Sequence, residues 1–125
     1  MRLLLDSHAF LWWISDDRRL SLEAGAALDD AGNDLFFSVI AGYEISYKQR
    51  AGKLPPISGG LRRRLQQAGV NVLPLSLDHA LAAAALPGPH RDPWDRIMMA
   101  QALAEGLTVV TVDPRFTEYR VPVLW

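Results

Sequence analysis

The chain contains no cysteine. That excludes a disulfide framework, a thiolate-ligated zinc or iron–sulfur centre, and a thiol nucleophile. Histidine is scarce as well: His8, His79 and His90 are scattered, which argues against a histidine triad with Ser7 or Ser38. Long hydrophobic runs are missing. Leu3 to Ile14 is interrupted by Asp6 and His8, and Leu81 to Leu86 falls far short of the roughly 20 residues of a membrane span. No small-residue cleavage site follows the first run, so a cytoplasmic protein without membrane contact is expected. Internal repeats and low-complexity tracts are also lacking.

What is present is an ordinary globular composition. Half of the 125 residues are apolar and 22% are charged, so the chain is not intrinsically disordered, and its length suits one domain spanning residues 1–125. Thirteen basic against fourteen acidic residues leave a net charge of -1. The distribution is uneven. Between Glu44 and Val70, six basic residues (Lys48, Arg50, Lys53, Arg62, Arg63 and Arg64) face Glu44 alone. Such a segment suits a polyanionic partner, although a run like Arg62-Arg63-Arg64 also serves as a solvated helix face.

The pattern opens as a strand over Arg2 to Leu5, a polar Asp6-Ser7 turn and a helix from His8 to Ile14. A helix capped by Ser21 covers Leu22 to Leu28, a strand Leu35 to Val39, and a helix runs from about Ala41 to Gly52. The Pro/Gly-rich stretch 54–60 is a loop, and a helix at Leu61 to Ala68 follows. Asn71 to Leu75 reads as an edge strand because Pro74 cannot donate to a ladder. Helices over Leu77 to Leu86 and from Asp92-Pro93 to Gly106 precede a strand at Leu107 to Val112, a turn at Asp113-Pro114 and a last strand at Val121 to Leu124. Strands separated by helices predict right-handed parallel crossovers. The expected fold class is therefore α/β, a three-layer α/β/α sandwich of four or five mainly parallel strands.

Ligands of such sheets bind beyond the carboxyl ends of the strands. Asp6 directly follows the first strand and Asp113 the strand Leu107 to Val112. Glu44 lies early in the helix after the second strand, and Asp95 opens the helix leading into the Asp113 strand. Four carboxylates on one rim repel one another unless a cation compensates them. With oxygen donors only, Mg²⁺ is the expected ion and Mn²⁺ the alternative, an arrangement suited to hydrolysis of a phosphodiester.

Taken in order, Leu3-Leu4-Leu5-Asp6-Ser7-His8, Ser38 with Glu44 and Lys48 ahead of Gly52-Lys53-Leu54, Asp92-Pro93-Trp94-Asp95-Arg96 with Ala100-Gln101-Ala102, and Thr111-Val112-Asp113 with Phe116 resemble the PIN-domain ribonucleases, and among them the VapC-type toxins of bacterial toxin–antitoxin pairs. The resemblance covers nearly the whole chain. It implies a single PIN domain, a Mg²⁺-dependent endoribonuclease acting on RNA, a cognate antitoxin as partner, and a homodimer. It also implies catalytic roles for Asp6, Glu44, Asp95 and Asp113, with Asp6, Asp95 and Asp113 as metal ligands and Ser38 and Thr111 as polar neighbours. Tyr43 stands where many relatives carry Trp, and Trp94 where Phe is common.

Each residue also has a plainer use. Asp6 suits a helix cap, Glu44 an i, i+4 pair with Lys48, Asp92 the cap ahead of Pro93, and Asp113 a turn before Pro114. Arg96, beside two acids, suits either a substrate phosphate or a structural ion pair. Adjacent Trp12 and Trp13 cannot both face one core, which leaves one of them, with Tyr43 and Tyr47, for a partner surface. Two other functions stay open at this level: a phosphatase or phosphoryl-acceptor domain using the aspartate after strand one, and a non-catalytic binding module on the same fold.

Overall fold

The computed structural model describes residues 1–89 and 91–125; His90 lies outside them. In chain order the elements are β1 (Arg2–Leu5), α1 (Ser7–Ile14), α2 (Leu22–Asp29), β2 (Asp34–Ser38), α3 (Val39–Arg50), α4 (Leu61–Gln67), β3 (Asn71–Leu73), α5 (Leu77–Ala85), α6 (Pro93–Glu105), β4 (Thr108–Val110), α7 (Arg115–Glu118) and β5 (Val123–Leu124). The strands form one sheet in the order β3-β2-β1-β4-β5, and all four pairings are parallel. The chain travels outward from β1 to β3 and then crosses back to β4. With right-handed crossovers, the two directions place their helices on opposite faces of the sheet, giving the three-layer architecture.

Burial explains the order. Leu3, Leu4 and Leu5 have no exposed surface, because β1 is central and covered on both faces, where a continuous apolar run replaces alternation. Phe10 of α1 meets Phe37 of β2 at 5.1 Å between ring centroids. Met98 through Ala102 of α6 are buried without interruption, and α5 packs along this helix. No helix among the described residues is long and apolar enough to cross a membrane.

Several boundaries differ from the sequence reading, each for a local reason. The first helix begins at Ser7 because Asp6 is its cap, its Oδ1 accepting the Ala9 N–H at 2.7 Å. The third begins at Val39, two residues early, because Ser38 ends β2 and caps α3 by accepting the Ile40 N–H. The second helix runs one residue further than expected, to Asp29. β3 and β4 shrink to three residues each: Pro74 ends one, and the other pairs with β1 only as far as Leu5 opposite Val110. The predicted turn at Asp113-Pro114 leads into the short helix α7, which the sequence reading lacks. Its four residues are too few to carry a helical period.

Candidate active site

β1 and β4 lie side by side at the point where the chain reverses its direction across the sheet, the place where open parallel sheets leave a crevice. Asp6 leaves β1 there, and its N–H donates to Val110 O of β4 at 3.2 Å. A cavity of about 160 Å³ opens beside it, lined by Asp6, Glu44, Asp92, Asp95 and Asp113, with Ser7, His8 and Lys48, on a floor that includes Met98 and Phe116. All four acids singled out in the sequence are therefore brought to one cavity, together with Asp92.

Asp6 is deeply seated. Burial raises its carboxyl above the ordinary 3.8; hydrogen bonds from Thr111 and the Ala9 N–H, and the neighbouring His8, pull the other way, while Glu44 adds to the rise. A carboxylate held where charge is disfavoured is a group poised to meet a cation or a proton. Thr111, itself buried, serves two acids at once. Its side chain hydrogen-bonds Asp6, and its Oγ1 accepts the Asp113 N–H at 3.1 Å.

Glu44 is fixed at both oxygens. Ser7 Oγ donates to Oε1 at 2.6 Å and Lys48 Nζ to Oε2 at 2.6 Å. The plain reading of Glu44 and Lys48 as a helical ion pair is correct, and it coexists with a place in the cavity wall. Asp92 likewise has both positions: it caps α6, accepting the N–H groups of Trp94 and Asp95, and lines the cavity. Asp113 is held by Arg115, whose Nη2 lies 2.8 Å from Asp113 Oδ2 and 3.9 Å from Asp95 Oδ2. Among the described residues no three acidic or histidine side chains stand close enough together to hold a metal ion. Lys48 and Arg115 supply the compensating charge in this arrangement.

Two expected neighbours of the site are elsewhere. Ser38 is fully buried behind α3, donating to Gln101 Oε1 at 2.6 Å. It positions the helix that carries Glu44 and does not reach the cavity. Arg96 turns away from the acids: its guanidinium donates to the carbonyls of Ala83 and Leu86, at the open C-terminal end of α5. That is a structural role, which the sequence could not separate from phosphate binding.

Ser7 and Arg115 were the site residues that sequence reasoning passed over. The reach of Ser7 to Glu44 spans 37 residues, beyond any local pattern. Arg115 carried one visible signal, its place two residues after Asp113.

A larger cavity of about 410 Å³ lies between α1 and the loop 54–58, lined by His8, Trp12, Asp17, Arg19, Arg64 and apolar side chains. Its one acid, Asp17, is clamped by Arg19, which brings it down to about 2. It lacks the gathered carboxylates of the smaller cavity.

Comparison with known proteins agrees with this geometry. The PIN-domain family model matches residues 3–122. The chain is 30% identical over 123 residues to Ribonuclease VapC22 of Mycobacterium tuberculosis, covering 96% of this chain and 93% of that protein. In fold it is similar to VapBC2 from Rickettsia felis, in a structure bound to a DNA fragment from their promoter, with a TM-score of 0.73, 16% identity and 99% and 98% of the two chains covered. FitAcB from Neisseria gonorrhoeae matches with a TM-score of 0.69 and 24% identity over 98% of this chain and 96% of that one. The chain belongs to the PIN-domain family, among its VapC-type members.

Proposed function

We propose that residues 1–125 form a single PIN domain that hydrolyses RNA phosphodiester bonds as the toxin of a toxin–antitoxin pair. The observation that carries this reading is the gathering of Asp6, Glu44, Asp92, Asp95 and Asp113 around one cavity at the β1/β4 crevice, in a chain 30% identical to a ribonuclease. An antitoxin partner follows from the same kinship. A second copy has an apolar face to meet on α5, where Leu77 and Leu81 are exposed.

A divalent cation fits the residues present. Five carboxylates line the cavity, only Lys48 among its described lining residues carries a permanent positive charge, and carboxylate oxygens are the donors that suit Mg²⁺ or Mn²⁺. Asp6, Asp95 and Asp113 would hold it by drawing closer together than they stand here. When bound, the ion would acidify a water and neutralise the phosphodiester as negative charge builds. The chain's own residues do the rest. Thr111 fixes Asp6 and the backbone of Asp113. Ser7 and Lys48 orient Glu44, whose remaining lone pairs are free to accept a proton from an attacking water. Lys48, in the cavity wall, offers a cation to the substrate phosphate.

The test is incubation of the purified chain with single-stranded RNA in Mg²⁺ or Mn²⁺ and in chelator. Expected are new RNA ends with either ion and none in chelator. Intact RNA throughout, or cleavage indifferent to chelator, would refute the reading.

Arg115 has a consequence of its own. Because it is bound to Asp113 and lies near Asp95, it competes with a divalent ion for the same oxygens. Arg115→Met is expected to tighten Mn²⁺ binding by about tenfold in titration calorimetry. An unchanged affinity would show that the ion does not use Asp113.

A further inference from the structure

Three aromatic rings stand together outside the hydrophobic core, at the edge of the acid cavity. Tyr43 and Tyr47, one turn apart on α3, stack at 6.1 Å between centroids, and Trp94, at the start of α6, lies 6.2 and 6.0 Å from them at a tilt near 60°. The tyrosines are 57% and 53% exposed, and none of the three rings belongs to the core or to the partly buried side chains packed on it. Two exposed tyrosines beside a half-buried tryptophan, all outside the core cluster, leave apolar surface for something else to cover.

Lys48 joins this shelf to the site. Its Nζ lies 5.9 Å from the centre of the Trp94 ring while bonded to Glu44 in the cavity wall. Trp94 itself sits between Asp92 and Asp95, both of which line the cavity. The basic stretch of the chain starts on this same helix, with Lys48 and Arg50. Aromatic faces interleaved with cations are how proteins hold single-stranded nucleic acid: the cations track the phosphates and the rings stack the bases.

We propose that Tyr43, Tyr47 and Trp94 form a base-stacking shelf for single-stranded RNA, holding the base of a nucleotide next to the phosphodiester placed in the acid cavity. The inference rests on the ribonuclease reading and adds to it the residues that seat the substrate. A base on the shelf has its sugar–phosphate within reach of Lys48, so stacking fixes which bond faces Asp6 and Glu44. The preference is for an unpaired strand, since a base inside a duplex has no free face to offer.

The test uses the full chain, a labelled single-stranded RNA that the wild-type protein cleaves, and copies with one abasic nucleotide at each position around the cut. Tyr43→Ala with Tyr47→Ala is expected to raise KM about tenfold with kcat within about twofold. Tyr43→Phe with Tyr47→Phe, which keeps the rings, should stay within about twofold of wild type. One abasic position should weaken the wild-type protein by a similar factor and leave the alanine variant unaffected. Cleavage by wild type with a KM indifferent to the alanine changes would overturn the shelf alone. Failure of the wild-type protein to cut any RNA would remove the ribonuclease reading, and the shelf with it. Loss of affinity that accompanies dissociation of a wild-type dimer in sedimentation would assign the rings to a contact between copies and overturn the proposal.

Discussion

Replacing Asp6 by Asn should abolish cleavage, by about 10³-fold or more, and should also make the protein more stable at pH 7. Both effects have one origin. Asp6 is a carboxyl that burial pushes above its ordinary 3.8, so the fold disfavours its charged form. Asn keeps the shape and remains a good helix cap, retaining an oxygen for the Ala9 N–H. Alanine would lose the cap as well and confound the result. The gain expected of Asp6→Asn is about 0.5–2 kcal/mol, the size common where function is traded for stability.

The sign of the pH dependence follows from the direction of that shift. With its pKa raised in the folded state, protonated Asp6 favours folding at low pH, and that contribution is lost as pH rises from 3.8 through the folded value. The advantage of Asp6→Asn should therefore be smallest in acid, grow through that interval and become constant above it. Melting temperatures of the two proteins in chelating buffer, taken across the acid range to pH 8, provide the measurement. Added Mn²⁺ should then stabilise the wild type and leave the variant almost unchanged. A variant less stable than wild type at pH 7 would show that the buried charge is fully compensated by Thr111 and the Ala9 N–H.

Ser38→Ala should destabilise the fold by about 2–4 kcal/mol, a large share of the stability of a domain this size. Two losses combine. The cap of α3 disappears, at about 0.5–2 kcal/mol, and Gln101 Oε1, fully buried, is left without its donor, at about 1–3 kcal/mol. Gln101 also donates to Pro74 O at 3.3 Å, so this pair ties α3, α6 and the end of β3 together. Because the two side chains answer one another, Ser38→Ala with Gln101→Leu should cost less than the sum of the single changes. Urea unfolding of the four proteins measures the coupling; strictly additive effects would mean the bond contributes nothing.

Much of this molecule was legible from residue order. The alternation of strands and helices, the apolar run of β1, the caps at Ser21 and Asp92, and the edge position of β3 follow from local periods and turn chemistry, which act within a few residues. Boundaries slipped where a side chain at the edge of an element became the cap of the next. Asp6 capped α1, which released Ser7 for Glu44, and Ser38 took the cap of α3, drawing its start forward to Val39.

The site divides along the same line. The candidate acids could be named in advance, Asp6 and Asp113 because a carboxylate at the end of a buried strand stands out, Glu44 and Asp95 through the resemblance to the PIN-domain ribonucleases. Their partners could not. Ser7 on Glu44, Arg115 on Asp95, Thr111 on Asp6 and the diversion of Arg96 to the end of α5 all depend on which elements lie side by side.

What the linear chain determined by itself was therefore the inventory: which groups carry charge, which segments alternate, and that no thiol is available. What only the tertiary structure decided was how that charge is balanced. Crossovers of 20 residues or more separate β1, β2 and β4, and it is the strand order 3-2-1-4-5 that closes those gaps. Coulomb and hydrogen-bond energies act over a few ångströms, so they are settled by spatial neighbours and not by neighbours in sequence.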